Sequence, residues 1–510
     1  MTAPVVTTRD GRLRGSVVAG VTSFKGIPYA APPFGAGRLQ PPRPVNPWDG
    51  IRDALEFGAE PPQPRMPDGQ AAGMVWDPAT PGEDCLNLNV WTPDPAAHGL
   101  PVMVWIPGGM FEVCSGATYD GSRFARDGVV CVTINYRVGV EGFLYLADGA
   151  ANLGLLDQIA ALQWVHDQIA AFGGDPANVT IFGESAGAMS VGTLLAIPRA
   201  DGLFRRAITQ SGAADRVLTA DDALRMGRTF ADRLGVAPTR AAFAAIPPDR
   251  LVAATTKLKA DVMAHPDPEL WGLEVIASIL PWQPVIDGDL LPARPIERIA
   301  EGASRDVDVI AGSNADDWRL FVVENGSMGR VTDATLAGPV VDHGFETVRA
   351  YGVSGEDLAA YRAAYPGASA VDVLAAVETD WWCRVPALRL AEAHAAAPAG
   401  TYLYEFAWPS AAMGGVFGAC HALEIGFVFD TLDHGMEQML GAMLEGAPQA
   451  LADAMHGAWV AFAATGDPGW PRYDLDRRAT MRFDTVSQVV DDPRPFERAL
   501  WSVQAPAGVA

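Results

Sequence analysis

The sequence predicts an α/β protein built on a large, mostly parallel central sheet that is flanked by helices. From about residue 100, short apolar runs alternate with stretches of helical periodicity, as in a parallel sheet with crossover helices. The chain of 510 residues is also 49% hydrophobic and 19% charged, which is sufficient for a large buried core. We expect all of it to form one domain.

Six segments are predicted to be strands because each is a short run rich in β-branched or aromatic residues. They are 101–106, 129–135, 179–182, 206–210, 307–311 and 401–406, and the clearest helices are 154–172, 186–195 and 450–464. The regions 215–300 and 322–395 are mainly helical. We expect them to form a cap over the carboxyl edge of the sheet, where ligands bind in open α/β folds.

The net charge of −24 argues against nucleic acids and anionic membranes as partners, and it indicates an acidic, soluble surface. No apolar run is long enough to span a bilayer, and residues 1–15 lack the apolar segment of a signal peptide. The odd number of cysteines, in a chain without a recognised secretion signal, predicts reduced thiols in the cytoplasm. Their spacing predicts no metal site, and no cofactor is expected. These five cysteines are Cys85, Cys114, Cys131, Cys383 and Cys420.

Ser185 is the predicted nucleophile. Residues 179–187 read VTIFGESAG, a β-branched strand that runs into a Gly183-x-Ser185-x-Gly187 motif and then into a helix of small residues. In this context the glycines allow a sharp turn that lifts the serine into a strained, exposed position. The helix N-terminus behind it offers N–H groups and a positive dipole end to an oxyanion. The alternative is a tight turn with an incidental serine.

An earlier loop is predicted to supply further oxyanion donors. The strand 102–106 is followed by Pro107-Gly108-Gly109-Met110-Phe111. We assign the N–H groups of Gly109 and Met110 to an oxyanion hole, together with that of Ala186. Gly108 and Phe111 are expected to border the substrate pocket. A plain glycine turn is the alternative.

Chain order selects the base and the acid, since this arrangement runs Ser, then Asp or Glu, then His. His421 ends a glycine-rich loop after the strand 401–406, and Asp316 and Asp317 follow the strand 307–311. The spacing does not decide which of these two acids is the partner of the histidine. Glu184 either tunes the pocket or is a buried structural group. Helices, or loops without a matching strand, hold the other histidines: His98, His166, His265, His343, His394, His434 and His456.

With these residues the chain resembles the type-B carboxylesterases, the family that includes the cholinesterases, and the similarity covers nearly the whole sequence. It is closest to bacterial, particularly actinobacterial, esterases of the p-nitrobenzyl-esterase type. The motifs that carry it are residues 24–30 (FKGIPYA), 83–89 (EDCLNLN), 152–158 (NLGLLDQ), 172–176 (FGGDP), 183–188 (GESAGA), 210–212 (QSG) and 465–468 (TGDP).

The resemblance implies an α/β-hydrolase fold with Ser185 as nucleophile, His421 as base and the second acid, Asp317, as its partner. It implies hydrolysis of carboxylic esters, with short to medium acyl groups or aromatic groups, through a covalent acyl-enzyme. Some relatives of this type also cleave aromatic polyester oligomers.

The sequence departs from the family pattern at several positions. The acid is usually Glu, so the shorter Asp317 requires its loop to lie about 1.5 Å closer to His421. Trp318 replaces a common glycine and is expected at the pocket. Pro107 and Met110 replace the first residue and the third glycine of the usual HGGGF loop. The early cysteine that pairs in secreted relatives is missing, so Cys85 should be a free thiol.

Two other interpretations stay open. A binding protein of the cholinesterase type would lack the nucleophile or the base, whereas an amidase, thioesterase or acyltransferase would use the same triad. With a histidine base, activity should rise with pH within about two units of pH 6.5. Several aromatic residues either line a pocket for benzyl or benzoyl esters or belong to the core. They are Phe111, Trp271, Trp282, Trp318, Trp381 and Trp382.

Overall fold

The computed structural model describes residues 3–64, 82–324, 326–332, 336, 353–433 and 441–502. Its strands are β1 (Val5–Thr7), β2 (Arg12–Arg14), β3 (Ser16–Val18), β4 (Val21–Pro28), β5 (Ile51–Asp53), β6 (Asn87–Thr92), β7 (Leu100–Ile106), β8 (Val130–Ile134), β9 (Gly174–Glu184), β10 (Arg206–Gln210), β11 (Leu218–Thr219), β12 (Val285–Ile286), β13 (Asp308–Asn314), β14 (Thr401–Phe406), β15 (Ala479–Phe483) and β16 (Gln488–Asp491).

The α-helices within these ranges are α1 (Ser122–Arg126), α2 (Gly139–Phe143), α3 (Leu153–Gln168), α4 (Ala186–Leu194), α5 (Ala220–Leu234), α6 (Arg240–Ala244), α7 (Pro248–Ala264), α8 (Pro268–Trp271), α9 (Leu273–Ser278), α10 (Pro295–Ala300), α11 (Arg319–Glu324), α12 (Gly355–Ala364), α13 (Ala370–Thr379), α14 (Val385–His394), α15 (Ile425–Val428), α16 (Gln449–Thr465) and α17 (Pro495–Ser502). A π-helical turn, Asp380–Arg384, joins α13 to α14.

Eleven of the described strands form one sheet in the order β16-β15-β14-β13-β10-β9-β7-β8-β6-β4-β3. The strands from β15 to β8 in this order are parallel, and the pairs toward both ends are antiparallel. The predicted α/β fold is therefore confirmed, and the six predicted strands correspond to β7, β8, β9, β10, β13 and β14. Strand β13 extends beyond its prediction because Ser313 and Asn314 still pair with β14.

Strand β7 shows how the sheet separates two apolar layers. Val104 and Ile106 point into the layer that contains α3 and α4, whereas Met103 and Trp105 point into the layer that contains α16. This alternation is the two-residue period of a strand. Because both faces are covered, the segment is an unbroken apolar run rather than an alternating one.

The inserted helices contact the carboxyl edge of the sheet in two places. Helix α7 packs against α2, near the loop that follows β7. The π-helical turn packs against β13, whose last residue precedes the acidic loop 315–318. Helix α14, however, packs against β13 and β14, so the end of the region 322–395 flanks the sheet instead of capping it.

The five cysteines are buried free thiols, as predicted from their odd number, and Cys85, whose partner cysteine in secreted relatives is missing here, is among them. No helix within the described ranges combines the length and apolarity needed to cross a bilayer.

Candidate active site

Ser185 occupies the sharp turn between β9 and α4. Its φ of 56° and ψ of −127° are strained for a residue with a side chain. A Cβ on Gly187 would lie 2.0 Å from the carbonyl oxygen of Ile106, and one on Gly183 would lie 2.7 Å from that oxygen, so both positions require glycine. The turn is held because the N–H of Ser185 donates to the carbonyl of Gln210 at 2.9 Å.

The glycine-rich loop after β7 lies against this turn. A Cβ on Gly108 would come within 2.5 Å of the Glu184 carbonyl oxygen, so Gly108 allows the loop to approach the serine. Gly109 and Met110 both have positive φ values, 117° and 58°. Within the described ranges, neither of their N–H groups has a hydrogen-bond acceptor. Ala186 begins α4, and a helix leaves its first N–H groups free.

The structure places the side chain of Phe111, which was expected to border the pocket, in the core. Its side chain is fully buried and packs edge-on against Phe143, with ring centroids 5.0 Å apart. Its φ of 56° belongs to the sharp turn of the loop. Trp271 and Trp282 also belong to the core.

His421 is fixed by the second of the two candidate acids. Its Nδ1 lies 2.8 Å from Oδ1 of Asp317, and its backbone N–H donates to the Asp317 carbonyl at 3.1 Å. Asp316 is directed elsewhere, since its Oδ2 accepts the N–H of Ala419 at 3.0 Å and its Oδ1 lies 3.5 Å from Arg319. The shorter side chain of Asp317 therefore reaches His421 because backbone hydrogen bonds join the two loops.

Other polar groups hold the acid in place. Oδ2 of Asp317 accepts the Ser211 hydroxyl at 3.1 Å and the backbone N–H of Asn314 at 2.9 Å. The Asn314 side chain in turn donates to the Cys420 carbonyl and to Oε2 of Glu424. Glu424 is completely buried, which raises its pKa to about 7.

The π-helical turn supports the acidic loop from the cap side. The N–H of Trp318 donates to Oγ1 of Thr379 at 3.0 Å, and the Trp318 ring stacks on Trp382 with centroids 4.9 Å apart. The Cys383 thiol, the Asp317 carboxylate and a ring nitrogen of His421 offer ligand atoms within 4.8 Å of one another. Burial, reinforced by the nearby Asp317 carboxylate, raises the pKa of this thiol well above its ordinary value.

Glu184 faces the other side of the imidazole. Its Oε1 lies 3.0 Å from Nε2 of His421, yet this buried oxygen accepts no hydrogen bond. Burial raises the pKa of Glu184 to about 8. Burial alone would lower the pKa of His421, but the carboxylates of Glu184 and Asp317 outweigh it and raise that pKa to about 9.

A row of aromatic rings leads away from the histidine. The Phe321 ring lies 5.2 Å from the His421 ring and 4.5 Å from Trp318, which in turn stacks on Trp382. Trp381 contacts Trp382 edge-on and lies beneath the Arg216 guanidinium, 3.5 Å from the ring centroid. Trp318 is the partly exposed tryptophan of this row.

The histidines that were not predicted to be the base, where the structure describes them, lie in surroundings unlike that of His421. His456 is buried in α16 with Nδ1 2.7 Å from the Val428 carbonyl, and His394 contacts Thr401 at 2.8 Å. His166 is exposed beside Asp167. His343 and His434 lie outside the described residues.

Sequence reasoning missed four residues that surround the dyad of His421 and Asp317. They are Ser211, Asn314, Cys383 and Glu424. Ser211 lies within the recognised motif of residues 210–212, and Glu424 follows His421 by three residues, so these positions were the available signal. Asn314 lies only three residues before Asp317, but its amide carried no such signal, and Cys383 comes from a distant segment.

The sharp strand-to-helix turn at Ser185 and the large, mostly parallel sheet flanked by helices are those of an α/β-hydrolase. The sequence matches the carboxylesterase family over residues 2–497, and the chain belongs to that family. It is 37% identical to a para-nitrobenzyl esterase of Bacillus subtilis (strain 168), with 98% of each chain covered. It is 34% identical to a fumonisin B1 esterase of Sphingopyxis macrogoltabida, covering 92% of this chain and 84% of the relative.

Solved structures agree with this assignment. The crystal structure of a Geobacillus stearothermophilus carboxylesterase at pH 6.2 superposes with a TM-score of 0.82 and 38% identity, covering 98% of this chain and 99% of that one. The chain is therefore a carboxylic ester hydrolase that acts on small-molecule esters. The alternative of a binding protein without catalytic activity is set aside.

Proposed function

We propose that the protein is a serine carboxylesterase with a Ser185-His421-Asp317 triad and an oxyanion hole formed by Gly109, Met110 and Ala186. The observation that carries the proposal is the orientation of His421. Asp317 holds Nδ1 at 2.8 Å, and Nε2 is directed toward the elbow, where it lies 3.0 Å from the residue before Ser185.

In this mechanism Asp317 keeps the proton of the neutral imidazole on Nδ1, so that Nε2 accepts the Ser185 proton. The serine oxygen attacks the ester carbonyl, and the developing negative charge is stabilised by the free N–H groups of the glycine-rich loop and of Ala186. His421 then protonates the leaving alcohol. In the second half it activates a water that hydrolyses the acyl-enzyme.

The role proposed for Glu184 is to stabilise the imidazolium that forms when His421 takes the serine proton. A purely structural buried carboxylate would be expected to have its hydrogen bonds satisfied. Oε1 of Glu184 is instead unsatisfied and close to Nε2. The charged His421 ring lowers the pKa of Glu184 against the effect of burial, so the imidazolium and the ionised carboxylate stabilise each other by Coulomb attraction in a site of low dielectric constant.

The proposed substrates are carboxylic esters with short to medium acyl groups or aromatic groups, including polyester oligomers. The aromatic row of Phe321, Trp318 and Trp382 begins beside His421, and its two partly exposed rings, Phe321 and Trp318, are the ones that meet a flat substrate group in this proposal. The similarity to a para-nitrobenzyl esterase supports an aromatic ester.

The test is hydrolysis of p-nitrophenyl esters from acetate to palmitate, and of the benzoate, by wild type and Ser185→Ala. We expect kcat to fall by at least roughly 10³-fold in the variant, because members of a triad act as a unit. Ser190→Ala is the matched control, since Ser190 is a buried serine of the same helix that accepts a hydrogen bond from Gln158. Retention of a tenth of the activity by Ser185→Ala would refute the proposal.

A further inference from the structure

The glycine-rich loop has positive φ values at three successive residues, two of which carry a Cβ. Gly109, Met110 and Phe111 have φ values of 117°, 58° and 56°. Residues with a Cβ rarely adopt such values, so the surrounding structure must impose them on Met110 and Phe111. The directions of the Gly109 and Met110 N–H groups depend on this conformation.

Backbone carbonyls of the loop are fixed by neighbouring groups. The Tyr136 hydroxyl donates to the Pro107 carbonyl at 2.8 Å, and the Gly139 N–H donates to the Phe111 carbonyl at 2.6 Å. The Gly109 carbonyl accepts the N–H groups of Glu112 and Val113, each at 2.9 Å. The hydrogen bond from the Glu112 N–H to the Gly109 carbonyl therefore completes the turn that orients the N–H groups of Gly109 and Met110.

The side chain of Glu112 extends from this turn and contacts helix α7 of the cap region. Its Oε2 lies 2.8 Å from Nζ of Lys259, which belongs to α7. The two side chains are only 10% and 17% exposed. The second carboxylate oxygen, Oε1, is buried and accepts no hydrogen bond. Lys259 is thus the charge that compensates a nearly desolvated carboxylate.

Packing contacts and a hydrogen bond fix the position of helix α7, which carries Lys259. It packs against α2, whose first residue, Gly139, donates to the loop at Phe111. Its N-terminal end is preceded by Ile246, whose carbonyl accepts a hydrogen bond from the buried Arg38 side chain. Leu251 and Thr255 of α7 face Val140 and Glu112 across a narrow crevice.

We propose that Lys259 is a positioning residue for ester hydrolysis, acting through Glu112 on the oxyanion donors of the loop. The inference rests on the proposed function. Without the ammonium group, the buried carboxylate turns toward water, because an uncompensated buried charge is strongly unfavourable. That movement pulls on the turn that fixes the Gly109 carbonyl, and the N–H groups of Gly109 and Met110 lose their alignment.

The substitutions Lys259→Met and Glu112→Gln test the link, with Lys259→Arg as the conservative variant. Lys257→Met is the matched control, since Lys257 is an exposed residue on the same helix. For p-nitrophenyl acetate, we expect kcat to fall roughly 10-fold or more in Lys259→Met and Glu112→Gln while KM changes less than about two-fold, because misaligned donors weaken only transition-state binding. Lys259→Arg should recover most of kcat, and Lys257→Met should match wild type.

Hydrogen exchange of the peptide that contains residues 107–114 provides a second measurement that does not depend on activity. We expect faster exchange of this peptide in Lys259→Met, with unchanged exchange in β7. Wild-type values of both kcat and loop exchange in a folded Lys259→Met would overturn the inference. If the wild type hydrolysed no ester, the proposed function would fail, and loop exchange alone would then decide whether Lys259 holds the loop.

Discussion

Nε2 of His421 lies 3.0 Å from Oε1 of Glu184, while Nδ1 of the same ring lies 2.8 Å from Oδ1 of Asp317. The imidazole is therefore placed between two buried carboxylates, one at each nitrogen. Both favour the protonated ring, which is the state that the proposed base reaches in the transition state. We therefore expect the same arrangement to raise the pH at which the free enzyme becomes active.

The pH dependence should reflect this pair of contacts. The active form has a neutral imidazole, and the carboxylates raise the pKa of His421 to about 9. Activity should therefore be low in acid and rise as pH increases through this pKa, higher than the value near 6.5 expected from the sequence alone. Glu184→Gln removes one negative charge, so the rise in kcat/KM should move to lower pH by roughly one unit. Superimposable profiles of wild type and variant would contradict this role.

Asp316 and Asp317 allow two matched substitutions, one at the predicted catalytic acid and one at its neighbour. Asp317→Asn should lower kcat by roughly 10³- to 10⁴-fold, because an amide at this position favours the wrong tautomer of His421. Asp316→Asn should lower kcat by less than about five-fold, because the Asp316 side chain contacts Ala419 and Arg319 and not the His421 ring. The kcat values for p-nitrophenyl acetate test both. A larger loss in Asp316→Asn would reverse the assignment.

Aromatic selectivity should depend on Trp318. Trp318→Leu removes the ring that stacks on Trp382 and lies 4.5 Å from Phe321. We expect the ratio of kcat/KM for p-nitrophenyl benzoate over acetate to fall roughly five- to ten-fold, the order of magnitude of one aromatic contact. The acetate reaction of the same variant is the internal control. An unchanged ratio would place the aromatic group of the substrate elsewhere.

One motif residue is expected to support the fold instead of the chemistry. Asp157 is fully buried and accepts two side-chain hydrogen bonds from Arg137, each at 2.7 Å. Asp157→Asn leaves the buried guanidinium uncompensated and should cost about 3–5 kcal/mol in the free energy of unfolding. Asp53→Asn breaks an exposed pair with Arg14 and should cost about 1 kcal/mol or less. Urea unfolding compares them, and equal losses would contradict the argument.

Much of this site could be predicted because it follows from strand order. The positions of Ser185, His421 and the acidic loop depend on which strand each loop follows, and the sequence carries that information. The choice between Asp316 and Asp317 could not be made from spacing, since it depends on hydrogen bonds between two loops more than 100 residues apart in the chain, such as that from Ala419 to Asp316.

Other features depend on tertiary packing that the local pattern does not contain. Phe111 follows the predicted donor residues, but its positive φ belongs to a turn that buries the ring against Phe143. The Asn314–Glu424 contact and the approach of Cys383 to the dyad join separate segments. The ion pair of Glu112 with Lys259 likewise joins a sheet loop to an inserted helix.

The most direct test of the central claim is covalent labelling with an aryl phosphonate that stops at the first step of acyl transfer. After incubation of the wild type, intact mass spectrometry should show one adduct per chain, and peptide mapping should place it on Ser185. Ser185→Ala should remain unlabelled, and His421→Gln should react far more slowly. An adduct on another residue, or equal labelling of Ser185→Ala, would contradict the proposed triad.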